Sequence, residues 1–231
     1  MDTCKVAVIG ATGAVGQVFL RIAEERDFPA ESMRLCASER SVGKKIRFKN
    51  QEIEVELCTE ALLEEVDFAF ISATTDISRE MAPKAANLGT VAIDDSSAFR
   101  MCSDVPLVIP EVNAHDLEWH KGIVSIPNCS TTPLAMVLKA LSQMAEVQRV
   151  IVDTYQSVTG TGSAALREME DQSAKIIENE PIEINEYPHQ IAFNVIPHIE
   201  PFQENGYTRE EMKMANETQK ILNRKDIYIS A

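Results

Sequence analysis

A cysteine lies where an apolar strand gives way to a helix, in the segment 127–131, Pro-Asn-Cys-Ser-Thr. The strand pattern covers 123–126, and a helical pattern runs from 130 to about 145. The first amides of a helix lack intrahelical acceptors and carry the positive end of its dipole, so they stabilise a thiolate and, later, an oxyanion. A free thiol with a pKa of about 8.5 is only about 3% ionised at neutral pH, and each unit by which its pKa falls supplies about tenfold more nucleophile. We therefore predict that Cys129 is a nucleophile for covalent catalysis; the alternative is a buried structural cysteine.

A glycine-rich turn is the second segment whose spacing indicates chemistry. An apolar strand at 6–9 leads into Gly10-Ala11-Thr12-Gly13-Ala14-Val15-Gly16, and an apolar-periodic helix follows. The first glycine permits a tight turn, the second lets a diphosphate approach the backbone, and the third lets the helix pack closely on the strand. The spacing is G-x-x-G-x-x-G rather than G-x-G-x-x-G, so a turn that binds nothing is the alternative. We predict a dinucleotide site at 10–16.

The end of the second strand distinguishes between the two nicotinamide cofactors. Binding the ribose 2′-hydroxyl of NAD normally requires an acidic residue at this point. Here Ser38 and Arg40 suit a 2′-phosphate, through a hydroxyl hydrogen bond and a charge-assisted pair. Glu39 could accept from a ribose hydroxyl instead, and Arg40 could be a solvated surface charge. The pattern favours NADP over NAD.

Alternating strands and helices must position these groups. Strand patterns are found at 5–9, 34–37, 68–72, 91–93 and 108–109, with helical patterns near 14–26, 60–65 and 77–88. Strands separated by helices predict a parallel, doubly wound sheet.

The pattern changes after the helix at 130–145. It continues with a strand at 149–157, a glycine-rich turn at 160–162, a polar helix at 164–178, a loop at 179–190, an apolar stretch at 191–199 and a capped helix at 208–222. We predict an α/β protein with a Rossmann-type NADP-binding domain at 1–127 and an α+β catalytic or dimerisation domain at 128–231.

Composition excludes several other classes of protein. The 231 residues are 45% hydrophobic and 25% charged, which is ordinary for a globular protein able to bury a core. Five cysteines without a CxxC or Cys/His cluster argue against a disulfide framework and a metal site. A net charge of −14 without a basic stripe argues against binding to nucleic acid or anionic membranes. No signal peptide or membrane-spanning run is evident, so we expect a cytoplasmic protein.

Several motifs, in the same order along the chain, resemble the aspartate-β-semialdehyde dehydrogenase family. They are the loop 10–16, Asp-Ser-Ser-Ala-Phe-Arg at 95–100, Pro-Glu-Val-Asn at 110–113, the cysteine segment 127–131, Tyr155-Gln156 with glycines 160 and 162, Gln-Ile-Ala-Phe-Asn-Val-Ile-Pro at 190–197 and Glu-Glu-Met-Lys-Met at 210–214. The resemblance implies that L-4-aspartyl phosphate is reduced by NADPH to L-aspartate 4-semialdehyde, on the route to lysine, threonine and methionine. It also implies a homodimer.

The resemblance assigns roles to individual residues. Cys129 would displace phosphate to give a thioester, and Gln156 would hold the acyl group. Asn128 and Arg100 would bind the substrate phosphate, Glu210 the substrate ammonium and Lys213 the phosphate. Cofactor residues are Gly10, Thr12, Gly13, Ala14, Val15, Gly16, Ser38 and Arg40, to which the resemblance adds Thr74, Ser96, Ser157, Gly160, Thr161, Gly162 and Asn194.

Each assignment has a plainer alternative. From their spacing alone, Glu210 and Lys213 form an i,i+3 ion pair behind a capping box of Thr208 and Glu211. Asn128 could cap a helix, Gln156 could be a hydrogen-bonded strand residue, and Arg100 could form a surface ion pair.

The chain also departs from the family pattern. Asp95 replaces the usual asparagine, and Thr132-Pro133 replaces a common Ile-Gln, with the proline in the first helical turn where it is tolerated. The arginine that binds the substrate carboxylate and the general acid/base histidine of the family have no counterpart in 1–231. We therefore expect an incomplete second domain and a chain that is inactive alone. The alternatives are an N-acetyl-γ-glutamyl-phosphate reductase-like enzyme and a non-catalytic protein that binds NADP or associates with full-length subunits.

Overall fold

The computed structural model describes residues 3–231. Its strands are β1 (Cys4–Ile9), β2 (Ala30–Cys36), β3 (Lys45–Phe48), β4 (Gln51–Glu56), β5 (Phe68–Ile71), β6 (Val91–Asp94), β7 (Ile123–Ser125), β8 (Arg149–Ile151) and β9 (Tyr228–Ser230). Its α-helices are α1 (Ala14–Glu25), α2 (Glu60–Glu64), α3 (Thr75–Asn87), α4 (Pro110–Asn113), α5 (Thr131–Ser142), α6 (Ser163–Ile177) and α7 (Arg209–Ile221), with 3-10 turns at Glu39–Ser41, Ala114–Trp119 and Val158–Thr161.

Seven strands form one sheet in the order β3-β4-β2-β1-β5-β6-β7. Every neighbouring pair is parallel except β3 and β4. The chain runs outward from β1 through β2 on one side and then crosses to β5 on the other, which creates a topological switch point at the carboxyl ends of β1 and β5. The predicted Rossmann-type parallel sheet is confirmed.

Buried apolar side chains cover both faces of this sheet. One cluster includes Ala7, Ile9 and Ile71 with the buried side of α3, and the other includes Val6, Val8 and Leu35 with the buried side of α1. Alternate residues of β1 therefore point to opposite layers, as the pleat requires. Burial on both faces explains why β1 reads as an unbroken apolar run rather than an alternating one.

Some predicted elements differ from the structure. A strand at 108–109 is wrong, because Leu107 makes only an isolated bridge to Ser125. The β3–β4 hairpin was not predicted; its apolar residues alternate with charged ones at the edge of the sheet and form no long apolar run. The strand predicted at 149–157 ends at Ile151, which is exposed.

In the remaining chain, α7 contacts the short strand β9. Strands β8 and β9 form a two-stranded parallel sheet. A capping box begins α7 as predicted: Thr208 Oγ1 accepts from the amide of Glu211, and the Glu211 carboxylate accepts from the amide of Thr208. Helix α7 contacts α5, and its Ile221 joins a cluster with Leu107 and Ile109. This cluster connects the two parts of the chain.

Candidate active site

The glycine loop lies at the switch point of the sheet. Gly10 has φ of +93°, and a Cβ added there would lie 2.0 Å from the carbonyl oxygen of Ser72 at the end of β5. A Cβ on Gly16 would lie 2.3 Å from the carbonyl oxygen of Gly10. Both positions therefore require glycine, one for conformation and contact and the other for helix packing.

The amino end of α1 offers unpaired amides beside this loop. Gly13 is exposed and caps the helix without a side chain. Within residues 3–231, the amides of Ala14, Val15 and Gly16 have no hydrogen-bond acceptor. Three free donors at the positive end of a 12-residue helix, next to a backbone without side chains, fit a diphosphate.

The end of β2 meets the glycine loop through serine 41. Thr12 Oγ1 donates to Ser41 Oγ at 3.4 Å, and Lys44 Nζ donates to the same oxygen at 3.5 Å. Ser38 and Arg40 are exposed on the turn that contains this serine. Sequence reasoning missed Ser41, although a serine within the turn that follows the second strand was visible.

The other predicted cofactor residues of the first part have structural contacts. Thr74 caps α3 by accepting from the amide of Ile77 at 3.4 Å. Ser96 is buried and donates to Asp94 Oδ2 at 3.0 Å. Ser72 Oγ donates to Asp95 Oδ2 at 3.2 Å, and burial raises the pKa of Asp95 while Arg100 opposes the rise. The replacement of asparagine by Asp95 thus places a carboxyl group beside the cofactor loop.

A second cleft, of about 700 Å³, opens beside the cysteine turn. Arg100 does not line it, and Gly162 lies next to it at the N-cap of α6. The predicted residues that do line it are Asn128, Cys129, Gln156, Ser157, Gly160, Thr161, Asn194, Glu210 and Lys213. The structure thus brings most of the predicted substrate residues into one cavity.

Cys129 is exposed to this cleft. Its Sγ donates to Asn128 Oδ1 at 3.8 Å, and the helix begins two residues later, with Ser130 as N-cap. Partial burial and the negative charge of Glu210 raise the pKa of Cys129, and the amides of Ser130 and Cys129 together with Arg100 offset only part of that rise. The predicted depression of this pKa is therefore wrong for the chain as described, because shielding from water and a carboxylate outweigh the amides.

A chain of charged groups forms one wall of the cleft. Glu210, which is 6% exposed, accepts from Asn128 Nδ2 at 3.1 Å and from Lys213 Nζ at 3.3 Å. Lys213 Nζ also donates to Glu200 Oε1 at 2.6 Å. The i,i+3 ion pair expected from spacing is present. Glu200 was not predicted; it lies in a loop at φ of +63°, and no sequence pattern indicated it.

Arg100 lies behind the cysteine turn rather than on the cleft surface. It is 7% exposed; its Nη1 donates to Glu217 Oε1 at 3.2 Å and its Nη2 to the carbonyl oxygen of Asp95 at 2.7 Å. Lys220 Nζ donates to the carbonyl oxygens of Arg100, Cys102 and Val105. Glu217 and Lys220 were missed, although they continue the spacing of Glu210 and Lys213 along one face of the helix.

Irregular chain forms the opposite wall. Gln156 is half-buried, and its Nε2 donates to Thr154 Oγ1 at 3.3 Å. Tyr187 Oη donates to Thr161 Oγ1 at 2.9 Å, and Asn194 Nδ2 donates to the carbonyl oxygen of Gln190 at 2.8 Å. Two of these bonds are local, and the bond from Tyr187 to Thr161 joins residues 26 apart in the sequence.

The four histidines, all within the described range, do not line this cleft. His198 lines an adjoining cavity that also reaches Gln156 and Glu210, and its ring lies 5.2 Å from that of Phe202. Residues 3–231 contain no cluster of candidate metal ligands. None of the helices in that range is long and apolar enough to cross a membrane.

Comparison with known proteins accounts for both parts of the chain. Residues 5–120 match the family model described as semialdehyde dehydrogenase, NAD binding domain, and residues 138–231 match semialdehyde dehydrogenase, dimerisation domain. The aspartate-semialdehyde dehydrogenases of Bacillus subtilis and Aquifex aeolicus are 45% and 46% identical to this chain, covering 98% of it and 67% and 68% of their own lengths.

Solved structures agree with these matches. Aspartate semialdehyde dehydrogenase II from Vibrio cholerae superposes with a TM-score of 0.96 at 43% identity, covering 99% of this chain and 69% of that one. A second structure of that protein, complexed with ASA, gives the same TM-score and identity over 100% of this chain. The chain spans about two thirds of the length of these relatives. The two family models match in chain order, and the relatives from Bacillus subtilis and Aquifex aeolicus are 45% and 46% identical to the chain. The chain therefore belongs to the aspartate-semialdehyde dehydrogenase family.

Proposed function

We propose that this chain carries the groups for NADPH-dependent reductive dephosphorylation of L-4-aspartyl phosphate to L-aspartate 4-semialdehyde, through a thioester on Cys129. The observation that carries the proposal is one cleft that holds a thiol, a buried carboxylate and an ammonium group, namely Cys129, Glu210 and Lys213. A thiol supplies the nucleophile, and the two charges suit a substrate that bears both an ammonium and a phosphate.

The nucleophile and the substrate-binding groups for the first half of the reaction lie in this chain. Cys129 loses its proton to solvent, the thiolate attacks the acyl carbon, and the C–O bond to phosphate breaks. Lys213 faces the departing phosphate, and the carboxamide of Gln156, which also lines the cleft, holds the acyl oxygen. Glu210 binds the substrate ammonium, for which it must exchange its present contact with Lys213.

Reduction follows at the same sulfur. When bound, the nicotinamide supplies the hydride that converts the thioester to a thiohemiacetal. Collapse of that adduct releases the aldehyde and returns the thiolate of Cys129. The glycine loop and the amino end of α1 would hold the diphosphate, as their free amides and absent side chains allow.

We assign the cofactor as NADP because of the turn after β2. Arg40 is exposed, and no acidic partner pairs with it within residues 3–231. Ser38 is the N-cap residue of the same turn, and its hydroxyl makes no capping hydrogen bond to the backbone. Both side chains are therefore available to a 2′-phosphate.

The proposal also covers assembly, the domain boundary, location and the rate of the chain by itself. Residues 138–231 match a dimerisation domain, and within that range Met144, Ile177 and Tyr228 expose large apolar surfaces, which supports a homodimer. The boundary between the domains lies near residue 128, and the cytoplasmic location stays a prediction. Because no histidine lines the cleft within residues 3–231, we also propose that the chain turns over slowly by itself.

An acylation experiment tests the central step. The chain is incubated with aspartyl phosphate without cofactor, and intact-mass and peptide mass spectrometry locate the product. We expect one aspartyl group on Cys129 and release of one phosphate, with no adduct in Cys129→Ala. An adduct on Cys58 or Cys102, or none at all when NADP binds normally, would favour the alternative of a non-catalytic NADP-binding protein.

The same experiment separates the two enzyme alternatives. An N-acetylated substrate has no ammonium, so it gains nothing from the buried carboxylate of Glu210. We expect acylation by aspartyl phosphate to exceed acylation by N-acetyl-γ-glutamyl phosphate, and Glu210→Gln to reduce this preference. The reverse preference would assign the chain to the reductase-like alternative.

A further inference from the structure

A buried carboxylate on α7 joins two segments that are far apart in the sequence. Glu217 is 2% exposed. Its Oε1 accepts from Arg100 Nη1 at 3.2 Å, and its Oε2 accepts from the backbone amide of Asn128 at 2.7 Å. One side chain therefore holds the loop after β6 and the turn that carries the thiol.

Only a carboxylate on a side chain as long as that of glutamate can accept from both Arg100 and the amide of Asn128. The two neighbours are donors, and each needs its own acceptor oxygen. A glutamine at 217 would offer one oxygen and turn an NH2 group towards the other donor. A buried guanidinium without its counter-ion is also costly, and Arg100 Nε already has no partner within residues 3–231.

The contacts continue from Glu217 to the sulfur. With its amide held, Asn128 presents Oδ1 to the amide and hydroxyl of Ser130, at 2.9 and 2.6 Å, and to Sγ of Cys129 at 3.8 Å. Two charged groups act on that thiol: Glu210 from α7 and Arg100 from the loop after β6. Lys213 is bonded to Glu210, and Glu217 is bonded to Arg100.

We infer that Glu217 is a positioning residue for the proposed thioester chemistry: it holds the Asn128 turn beneath Cys129 and pairs with Arg100 behind that turn. The inference rests on the proposed function of Cys129. Helix α7 thereby carries Glu210 and Lys213, which line the proposed substrate cleft, and also Glu217, which positions the turn that bears the nucleophile. Lys220, one turn further on, fixes the other end of the Arg100 loop through three carbonyl oxygens.

The test measures how readily Cys129 is alkylated as pH changes. Iodoacetamide reacts with the whole chain at a series of pH values, and mass spectrometry of the peptide that contains Cys129 gives the rate. The variants are Glu217→Gln, Arg100→Gln and the double substitution. Thr218→Val is the matched control, because Thr218 is equally buried on the same helix and its hydroxyl has no partner within residues 3–231.

Removing the carboxylate leaves Arg100 without its counter-ion behind the cysteine turn. In Glu217→Gln we expect the inflection of the pH profile to fall by about 0.5 to 1 unit, which gives about three- to tenfold faster alkylation at neutral pH. Arg100→Gln should raise the inflection, and the double variant should lie between the two single variants. Thr218→Val should keep the wild-type profile, whatever its effect on stability.

An inflection in Glu217→Gln equal to that of the wild type would overturn the inference and leave Glu217 a structural residue. If Glu217→Gln does not fold, Arg100→Gln is compared with the double variant, in which no charge is left without a partner. The inflection must then be lower in the double variant, and equal values would overturn the inference. Alkylation needs no substrate, so failure here is distinct from a failure of Cys129 to accept an aspartyl group.

Discussion

The two parts of the chain differ in how much apolar side chain they bury. Within residues 3–231, 28 of the 35 buried apolar residues precede residue 128 and 7 follow it. The first part closes a core on both faces of a seven-stranded sheet, whereas the second has a two-stranded sheet and the helices α5, α6 and α7. Large apolar side chains such as Met144, Ile177 and Phe193 are exposed in the second part.

This difference separates two kinds of site. The glycine loop, which we propose binds the cofactor, is built into the carboxyl edge of the larger core, where a backbone contact such as that of Gly10 with Ser72 leaves no room for a side chain. The proposed substrate cleft is lined by residues of α6 and α7 and by loops. A dinucleotide site of this kind needs little beyond the first core, whereas the thiol depends on groups that the second part brings to it.

The largest effect should come from adding the part of a relative that this chain does not cover. We expect the chain alone to reduce aspartyl phosphate at least about a thousandfold more slowly than the same chain fused to the portion of the Bacillus subtilis relative that it does not cover. A positioned acid/base contributes about 10²–10⁴-fold, and no histidine lines the cleft within residues 3–231. NADPH oxidation measures both rates. Cys129→Ser in the fusion should abolish the gain in rate. If the chain alone and the fusion reduce aspartyl phosphate at equal rates, the acid/base already lies in this chain.

Stability should show the same asymmetry. Leu35 is fully buried in the first core, and Leu35→Ala should cost about 2–5 kcal/mol because it leaves a cavity there. Met144 is 86% exposed, so Met144→Ala should change the free energy of unfolding by no more than about 0.5 kcal/mol. Urea unfolding curves measure both. A large, concentration-dependent loss in Met144→Ala would instead place that side chain in a dimer interface.

The sequence predicted local features better than distant ones. The glycine loop, the capping box of Thr208 and the position of the cysteine turn follow from neighbouring residues, and all are present. The raised pKa of Cys129 does not follow from neighbouring residues, because it depends on burial by the folded chain and on Glu210, which is 82 residues away from Asn128 in the sequence. The Arg100–Glu217 pair spans 117 residues, and no local pattern indicates such a contact.

The cofactor turn gives a prediction confined to the first part. Arg40→Gln should weaken NADPH binding about tenfold or more and leave NADH binding unchanged, because a charge-assisted contact to the 2′-phosphate is worth about 1.5–3 kcal/mol. Calorimetry with both cofactors measures this. Arg26→Gln is the matched control, since Arg26 is exposed at the far end of α1. Equal loss for both cofactors would show that Arg40 acts on the fold rather than on the phosphate.

The smallest effect concerns the thiol itself and tests how strongly the second part acts on it. Partial burial and, after it, the carboxylate of Glu210 hold the pKa of Cys129 above its ordinary value. Glu210→Gln removes the charge, so that pKa should fall, and the inflection of alkylation against pH should move to lower pH by a few tenths of a unit to about one unit. Alkylation at neutral pH then becomes faster, since more of the sulfur is thiolate. Glu211→Gln is the control, because that carboxylate is engaged with the amide of Thr208 at the start of the same helix. If Glu210→Gln leaves the inflection in place while Glu211→Gln moves it, the carboxylate that acts on Cys129 has been assigned to the wrong residue.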